Sequence, residues 1–461
     1  MMRVSQAAHA LGARFTGDDI EFTAVNTDSR TIRRGDLFVA LKGERFDGHA
    51  FVAQAAAAGA AAALVEQGQD AGSGIHDSAL RLPLIVVQDT LQALGRLGNY
   101  WRRQFACPLV ALTGSNGKTT VKEMLASILR AAAGDVAVLA TRGNLNNHIG
   151  VPLTLCELRS AHRYAVIEMG MNHAGELSYL TRLAEPDVAL INNSGVAHIE
   201  NFGSSEAIAR AKGEIFEGLK EGGTAVFSSD EQYAPLWREL AAGRKQLEFA
   251  LEAKAAVSAS YKIRQLDSEI VLKTPLGEAC AVVPAPGLHN VRNALAASAA
   301  ATALAVPAAA VAAGLARFGG VKCRLQRKRC ARGATLIDDS YNANPESVRA
   351  AIDVLAQYPA PTILVLGDMG ELGDRSAEFH REAGAYAQSR KISRLFALGD
   401  ESRNAVAAFG SGAQHFARFE DLLATVEAAL TPEATLLVKG SRFMRMERVV
   451  AALTGESAGG H

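Results

Sequence analysis

The stretch LVALTGSNGKTTVKEMLASIL, residues 109 to 129, runs from an apolar strand pattern into glycines and then into a helix pattern. That order suits a phosphate group. Thr113, Gly114, Ser115, Asn116 and Gly117 make a loop whose glycines let backbone N–H groups turn outward, and the helix N-terminus adds the positive end of its dipole. Lys118 supplies a neutralising cation, and the Thr119 hydroxyl is placed to hold magnesium. A strict Walker A pattern needs its first glycine at position 112, where this chain has Leu112. The bland alternative is a glycine turn before a helix. The motif points to a nucleotide without naming a reaction.

Other residues invite the same question less strongly. Glu168 ends YAVIE and His198 follows DVALINN, so both sit at strand C-termini, where open α/β sheets bind ligands. A carboxylate and a neutral imidazole there could share magnesium with phosphate oxygens, although each taken singly is an ordinary polar loop residue. Lys212 in ARAKGEIF reads alone as a solvated helix lysine, and Asn293 in HNVRNALAA as a locally hydrogen-bonded helix residue. Arg324 in CRLQ reads as a surface charge. Asp339 and Tyr341 in DDSYNANP, Ser29 and Arg30 in NTDSR, and Arg142, Asn144 and Asn147 in TRGNLNN read as polar turns.

The elements that must carry these residues fall into three parts. Up to about residue 90, the short runs DLFVAL, AALVEQ and PLIVVQDT around an Ala-rich helix predict a small α/β domain. From 91 to 320, LVALTG, VAVLAT, YAVIEMG, DVALINN and TAVFSS alternate with helices, which predicts a doubly wound parallel sheet. Between about 246 and 283 the pattern alternates, with a turn signal at TPLGE, and an antiparallel β insert closing this central domain is expected. From 321 to 461, TLIDDS, TILVLGD, RLFALG and TLLVKGS predict a third, Rossmann-like α/β domain, with FGGV at 318 to 321 as the hinge.

Composition narrows the function classes. A chain of 461 residues exceeds one compact core, and about three units fit its length. Lys plus Arg equals Asp plus Glu at 48 each, so no global field draws the protein to nucleic acid or anionic lipid. The five cysteines are odd in number and lack a CxxC pair, which suggests neither a disulfide framework nor a zinc site and fits a reducing cytoplasm. The N-terminus has no apolar signal core, and the Ala-rich runs are broken before membrane-spanning length, so neither export nor insertion is expected.

TGSNGKTT, followed by TRGNLNNHIG, AVIEMGMNHAGE, AHIENFGS and ARAKGEIF, resembles the central domain of the Mur ligases, and the likeness continues through PGLHNVRNALAA, DDSYNANP, LGDMGELG and LVKGSR. With NTDSRTIRRGDLFVALKGERFDGHAF near the start, it covers nearly the whole chain. The resemblance implies an ATP- and magnesium-dependent ligase that activates a carboxylate as an acyl phosphate and passes it to an amine. The early DSR motif, DDSYNANP and GDMGELG are similar to those of the member acting on UDP-N-acetylmuramoyl-tripeptide and D-alanyl-D-alanine, and a monomer is expected.

The resemblance also implies roles. The family's matching lysine is carbamylated, so Lys212 would join Thr119, Glu168 and His198 around magnesium. Lys118 and Arg324 would meet the phosphates, while Asn293 and Tyr341 would lie near the base and Asp339 near the ribose. Ser29 and Arg30 would hold the uridine nucleotide, and Arg142, Asn144 and Asn147 the sugar-peptide. One departure is Cys323, where the family usually has glycine. Rival readings are a folylpolyglutamate-type ligase, the ligase adding the third peptide residue, or a P-loop switch, which would hydrolyse nucleotide without needing an amine acceptor.

Overall fold

The computed structural model describes residues 1–44, 46–68, 82–195, 199–330 and 332–456. Three sheets organise the chain. Strands Ala24–Asn26, Asp36–Val39, Ala62–Glu66 and Leu84–Val87 pair in parallel, and Arg14–Thr16 adds an antiparallel edge. Residues 37–39 and 62–65 are apolar on both faces because helices and loops cover both sides of the sheet.

The helix Thr90–Arg102 joins this unit to the next. Leu94 and Leu97 lie in the first unit's core, whereas the buried Arg102 guanidinium donates to the carbonyls of Ala184 and Phe105 and lies 3.4 Å from Asp187. Burying a guanidinium is tolerable only with this many acceptors.

The second sheet has nine strands. From one edge they run Val138–Ala140, Tyr164–Glu168, Leu109–Thr113, Val188–Ile191, Thr224–Ser228, Lys245–Ala250, Val257–Ile263, Ser268–Thr274 and Gly277–Val283. Helices Lys118–Ala133, Leu288–Ala303 and Ala308–Ala316 pack on one face, and Gly150–Cys156, Glu176–Ala184, Ser205–Gly213 and Ala234–Leu240 on the other. The doubly wound expectation is met. The expected insert takes a different form: Lys245–Ala250 and Val257–Ile263 continue the parallel ladder, and only the last two strands turn antiparallel, as an extension of the same sheet. Side-chain alternation fits either direction, and the helix Ala234–Leu240 supplies the crossover that parallel pairing needs.

The chain leaves Leu109–Thr113 for the far edge, returns to Tyr164–Glu168 beside it, and then places Val188–Ile191 on its other side. This reversal opens a crevice at the C-terminal end of Leu109–Thr113, where the glycine loop emerges.

The third sheet runs Gln326–Arg329, Thr335–Asp339, Thr435–Lys439, Thr362–Gly367, Arg394–Leu398 and Ala413–Phe416, parallel except for its first pair. Its ligand-facing end lies against the central crevice. Among the described residues no helix is long and apolar enough to cross a membrane.

One close packing site fixes the helix that follows the glycine loop. Gly314 lets the helix Ala308–Ala316 approach Lys118–Ala133 so closely that an added Cβ would lie 2.7 Å from the Ile128 backbone nitrogen and 2.9 Å from the Ser127 carbonyl. Helix propensity alone would favour Gly314→Ala by about 1 kcal/mol. Backbone has little room to yield, so the expected outcome is a net loss of about 1–3 kcal/mol, read as a lower urea midpoint at unchanged slope.

Candidate active site

The strand Leu109–Thr113 is buried throughout, and its last residue delivers a four-residue loop to the helix at Lys118. Gly117 takes φ +77, and a Cβ there would run into Asn293 Oδ1 and stand 3.0 Å from Asn192 Nδ2. Only glycine satisfies both constraints. The neighbouring strand end holds the loop: the Asn116 N–H donates to Asn193 Oδ1 (2.8 Å), and Asn192 and Asn193 Nδ2 donate to the Asn116 carbonyl (2.9 Å each). Asn192 Nδ2 also donates to Asn293 Oδ1 at 3.0 Å, which fixes the orientation of that side chain. Ser115 Oγ donates to the Gly195 carbonyl at 3.1 Å.

The Lys118 ammonium folds over its own loop, donating to the carbonyls of Gly114 (2.6 Å) and Ser115 (3.3 Å). Burial lowers its pKa, with the Glu168 carboxylate acting in the opposite direction. Glu168 is 2% exposed; its Oε1 accepts from Asn146 Nδ2 at 2.8 Å, while Oε2 has no hydrogen-bond partner. The Thr113 hydroxyl is likewise buried without a partner. Behind Glu168, the buried Lys122 ammonium donates to the Thr141 carbonyl (2.7 Å), and Thr141 Oγ accepts from the Glu168 N–H (2.9 Å).

A bare buried carboxylate oxygen beside a hydroxyl-bearing glycine loop fits a divalent cation that takes its remaining ligands from phosphate. Among the described residues no three His, Cys, Asp or Glu side chains gather as a metal cage. His198 lies outside the described residues. Lys212 ends the helix Ser205–Gly213, capped by Ser204, and is 2% exposed. Burial pushes its pKa well below the ordinary lysine range, reinforced by Lys118 and opposed by Glu231 and Glu346. The solvated helix lysine that sequence alone favours is therefore overturned: the helix packs this face inward.

The third unit supplies the facing wall. Lys439 Nζ donates to Asp339 Oδ2 (2.6 Å) and to the Asn342 carbonyl (2.9 Å), and the Leu325 N–H donates to Asp339 Oδ1 (3.2 Å). The Arg324 guanidinium lies 4.5 Å from the Tyr341 ring centre, with Arg442 at 5.8 Å. Cys323 adopts φ +58, a conformation that glycine takes without strain. Two cavities meet at this seam, of about 740 and 870 Å³, sharing Asn116, Gly117, Arg324, Ser347 and Lys439. The first adds Asn293, Asp339 and His289, whose pKa burial lowers to about 4. The second adds Ser115, Lys118, Thr119, Asn147, Glu168 and Tyr341.

Ser29, Arg30, Arg142 and Asn144 line neither cavity. Ser29 lies 3.4 Å from Gln54, Arg30 pairs with Asp28 at 2.7 Å, and Arg142 lies 3.2 Å from Glu157. Asn147 Oδ1 accepts from the N–H groups of Ile149 and Gly150 at the start of the next helix. Sequence reasoning passed over Asn146, Asn192, Asn193 and Lys439. The asparagine pairs at strand ends were the available signal; Lys439 looked like any strand-end lysine.

Residues 21–102 match the Mur ligase family catalytic domain, 112–301 the Mur ligase middle domain, and 323–442 the Mur ligase glutamate ligase domain. The UDP-N-acetylmuramoyl-tripeptide--D-alanyl-D-alanine ligase of Escherichia coli K12 is 42% identical over 454 residues, 98% of each chain. A crystal structure of MurF from Acinetobacter baumannii shares 38% identity and a TM-score of 0.90, covering 98% of both chains. Another, from Thermotoga maritima in complex with ADP, shares 27% identity and a TM-score of 0.81, covering 94% of this chain and 97% of that one.

Gly117→Ala is expected to displace Asn293 and Asn192 and to abolish nucleotide binding, measured by titration calorimetry with a non-hydrolysable ATP analogue. The strained backbone should also lower stability by about 1–2 kcal/mol. Binding of the analogue at wild-type strength would contradict the role assigned to this turn.

Proposed function

This chain belongs to the Mur ligase family, and we propose that it uses ATP to join D-alanyl-D-alanine to UDP-N-acetylmuramoyl-tripeptide, a step of peptidoglycan synthesis. The observation that carries this reading is the seam itself: a phosphate loop on one domain faces Arg324, Asp339, Tyr341 and Lys439 on another across two joined cavities, in a chain similar along its length to ligases of that name.

The tripeptide carboxylate attacks the γ-phosphorus of ATP, ADP leaves, and an acyl phosphate forms; the dipeptide amine then attacks the acyl carbon and phosphate leaves. The protein's part is positioning and charge neutralisation. Backbone N–H groups of Gly117, Lys118 and Thr119 at the helix start and the Lys118 ammonium bind the phosphates, so Lys118 exchanges its loop carbonyls for phosphate oxygens. The Arg324 guanidinium, held over Tyr341, reaches the terminal phosphate from the opposite wall. Asn293 and Tyr341 take the base, and Asp339, oriented by Lys439, takes the ribose.

Magnesium, held by Thr119 and Glu168 with His198 and Lys212, would neutralise the phosphate oxygens. Ser29 and Arg30 hold the uridine nucleotide, and Asn147 with Arg142 and Asn144 the sugar-peptide. The reaction takes place in the cytoplasm, a location with which the free cysteines agree.

Incubating the protein with ATP, magnesium, UDP-N-acetylmuramoyl-tripeptide and D-alanyl-D-alanine should give the pentapeptide precursor by mass spectrometry, with one phosphate per amide bond. Phosphate release that needs no amine would point to a nucleotide switch instead.

Lys212 is expected to act as a carbamate, since its environment favours the neutral amine that carbon dioxide requires. A lowered folded-state pKa means that the unfolded chain binds the extra proton, so the buried amine weakens the fold at neutral pH and less so as pH rises toward about 10. Lys212→Met should therefore lose turnover yet match or exceed wild-type melting temperature at pH 7 in metal-free, bicarbonate-free buffer, with the margin shrinking at higher pH. Carbon-13 bicarbonate should give a carbamate signal in the wild-type protein and none in the variant.

A further inference from the structure

Asn116 uses each of its four polar atoms, and it uses them in two directions. Its backbone N–H and carbonyl are bonded to Asn193 and Asn192 within the central domain. Its side chain leaves the loop the other way: Nδ2 donates to Glu346 Oε2 at 2.7 Å, and Oδ1 accepts from Asn344 Nδ2 at 2.7 Å. Both partners lie more than two hundred residues away, at the start of the helix Pro345–Leu355. The backbone bonds set the side chain's direction before the third domain arrives, so little freedom is lost when it docks.

Asn344 is equally constrained. Its Oδ1 accepts from the Ser347 N–H at 2.9 Å as the helix cap, and Ser347 Oγ accepts from the Asn344 N–H at 3.0 Å. The capping box consumes the oxygen and leaves the amide nitrogen aimed at Asn116. A separate feature receives the other partner: the Glu346 carboxylate sits in a notch at Gly195, where a Cβ would collide with it. Gly195 is tied back to the phosphate loop, its N–H donating to Ser115 Oγ at 2.9 Å.

We propose that Asn116, Asn344 and Glu346 form a closure latch, positioning residues that hold the third domain over the phosphate loop until the amine has reacted. This rests on the ligase reading above. The latch joins the two walls beside the residues that line both cavities, so forming it brings Arg324, Tyr341 and Lys439 to the nucleotide and removes water. Water excluded in this way would otherwise bond to the acyl carbon as its bond to the phosphate oxygen breaks, returning the carboxylate and inorganic phosphate and wasting the ATP.

Two variants outside the nucleotide loop test it. Asn344→Asp keeps the helix-capping oxygen while replacing the donor to Asn116 with a second acceptor. Gly195→Ala displaces Glu346 from the other side. In both, the phosphate released per amide bond at limiting D-alanyl-D-alanine should rise about threefold or more, and the KM for the dipeptide about tenfold, as expected for losing one or two hydrogen bonds. The KM for ATP should rise too, by about threefold, less than that for the dipeptide because the glycine loop still binds the phosphates, and the melting temperature should stay within about 2 °C, since neither variant touches the core. Small-angle scattering should show the contraction induced by an ATP analogue in the wild-type protein and its loss in the variants. One phosphate per amide bond together with a preserved contraction in both variants would overturn the latch, as would a rise confined to the KM for ATP. If the wild-type protein makes no amide bond from these substrates, the ligase reading fails, and the latch then stands or falls on whether Asn344→Asp abolishes the contraction.

Discussion

A loop that must show its backbone N–H groups to a ligand has no room for side chains where it turns, and much of this structure is arranged around that requirement. The strand Leu109–Thr113 sits between Tyr164–Glu168 and Val188–Ile191, so its end opens into a crevice with a wall on either side. Asn192 and Asn193 on one wall and Glu168 on the other are within reach because their strands are hydrogen-bonded neighbours. The left-handed turn at Gly117 lets Asn293 approach from the helix Leu288–Ala303, which packs on the same face of the sheet as Lys118–Ala133. Moving any of these strands by one residue would turn the relevant side chains to the opposite face.

A second feature is the gathering of lysine amines away from water. Lys212 and Lys439 are withdrawn from water and Lys118 is half-buried at the cavity wall, and burial lowers the pKa of each. Lys439 is compensated by Asp339 and Lys118 by carbonyls, while Glu168 keeps one oxygen bare. Such groups cost stability in the absence of ligand, and the cost is recovered when phosphate oxygens and a cation arrive. A site built in this way is preorganised for a highly anionic nucleotide and poorly suited to a neutral one.

The third domain contributes through its strand ends, as the central one does. Thr335–Asp339 and Thr435–Lys439 are neighbours, which brings Asp339 and Lys439 together across 100 residues of chain. The turn leading into this domain passes through left-handed conformations at Cys323 and Leu325, and the Tyr341 N–H donates to the Cys323 carbonyl at 3.3 Å. Cys323 is thus accommodated in a glycine-like conformation, at about 1–2 kcal/mol of backbone strain. Arg324 follows immediately, and the turn directs its guanidinium over Tyr341.

The order of apolar runs, glycines and helix patterns was enough to read three α/β units, a doubly wound centre and the phosphate loop, because these depend on local periodicity and backbone chemistry. The alternation from 246 to 283 could not tell parallel from antiparallel, since strand direction depends on the path of the connection between strands and not on side-chain alternation. The sequence also marked Glu168, by its place at a strand end, while Arg324 and Asp339 were marked only through resemblance. The burial of Lys212 and the partners of Asn116 were beyond it. Whether a helix lysine faces solvent or core, and which of several asparagines meets another domain, is settled by how the sheets pack. Those contacts join residues separated by 76 to 230 positions, and no local pattern records them.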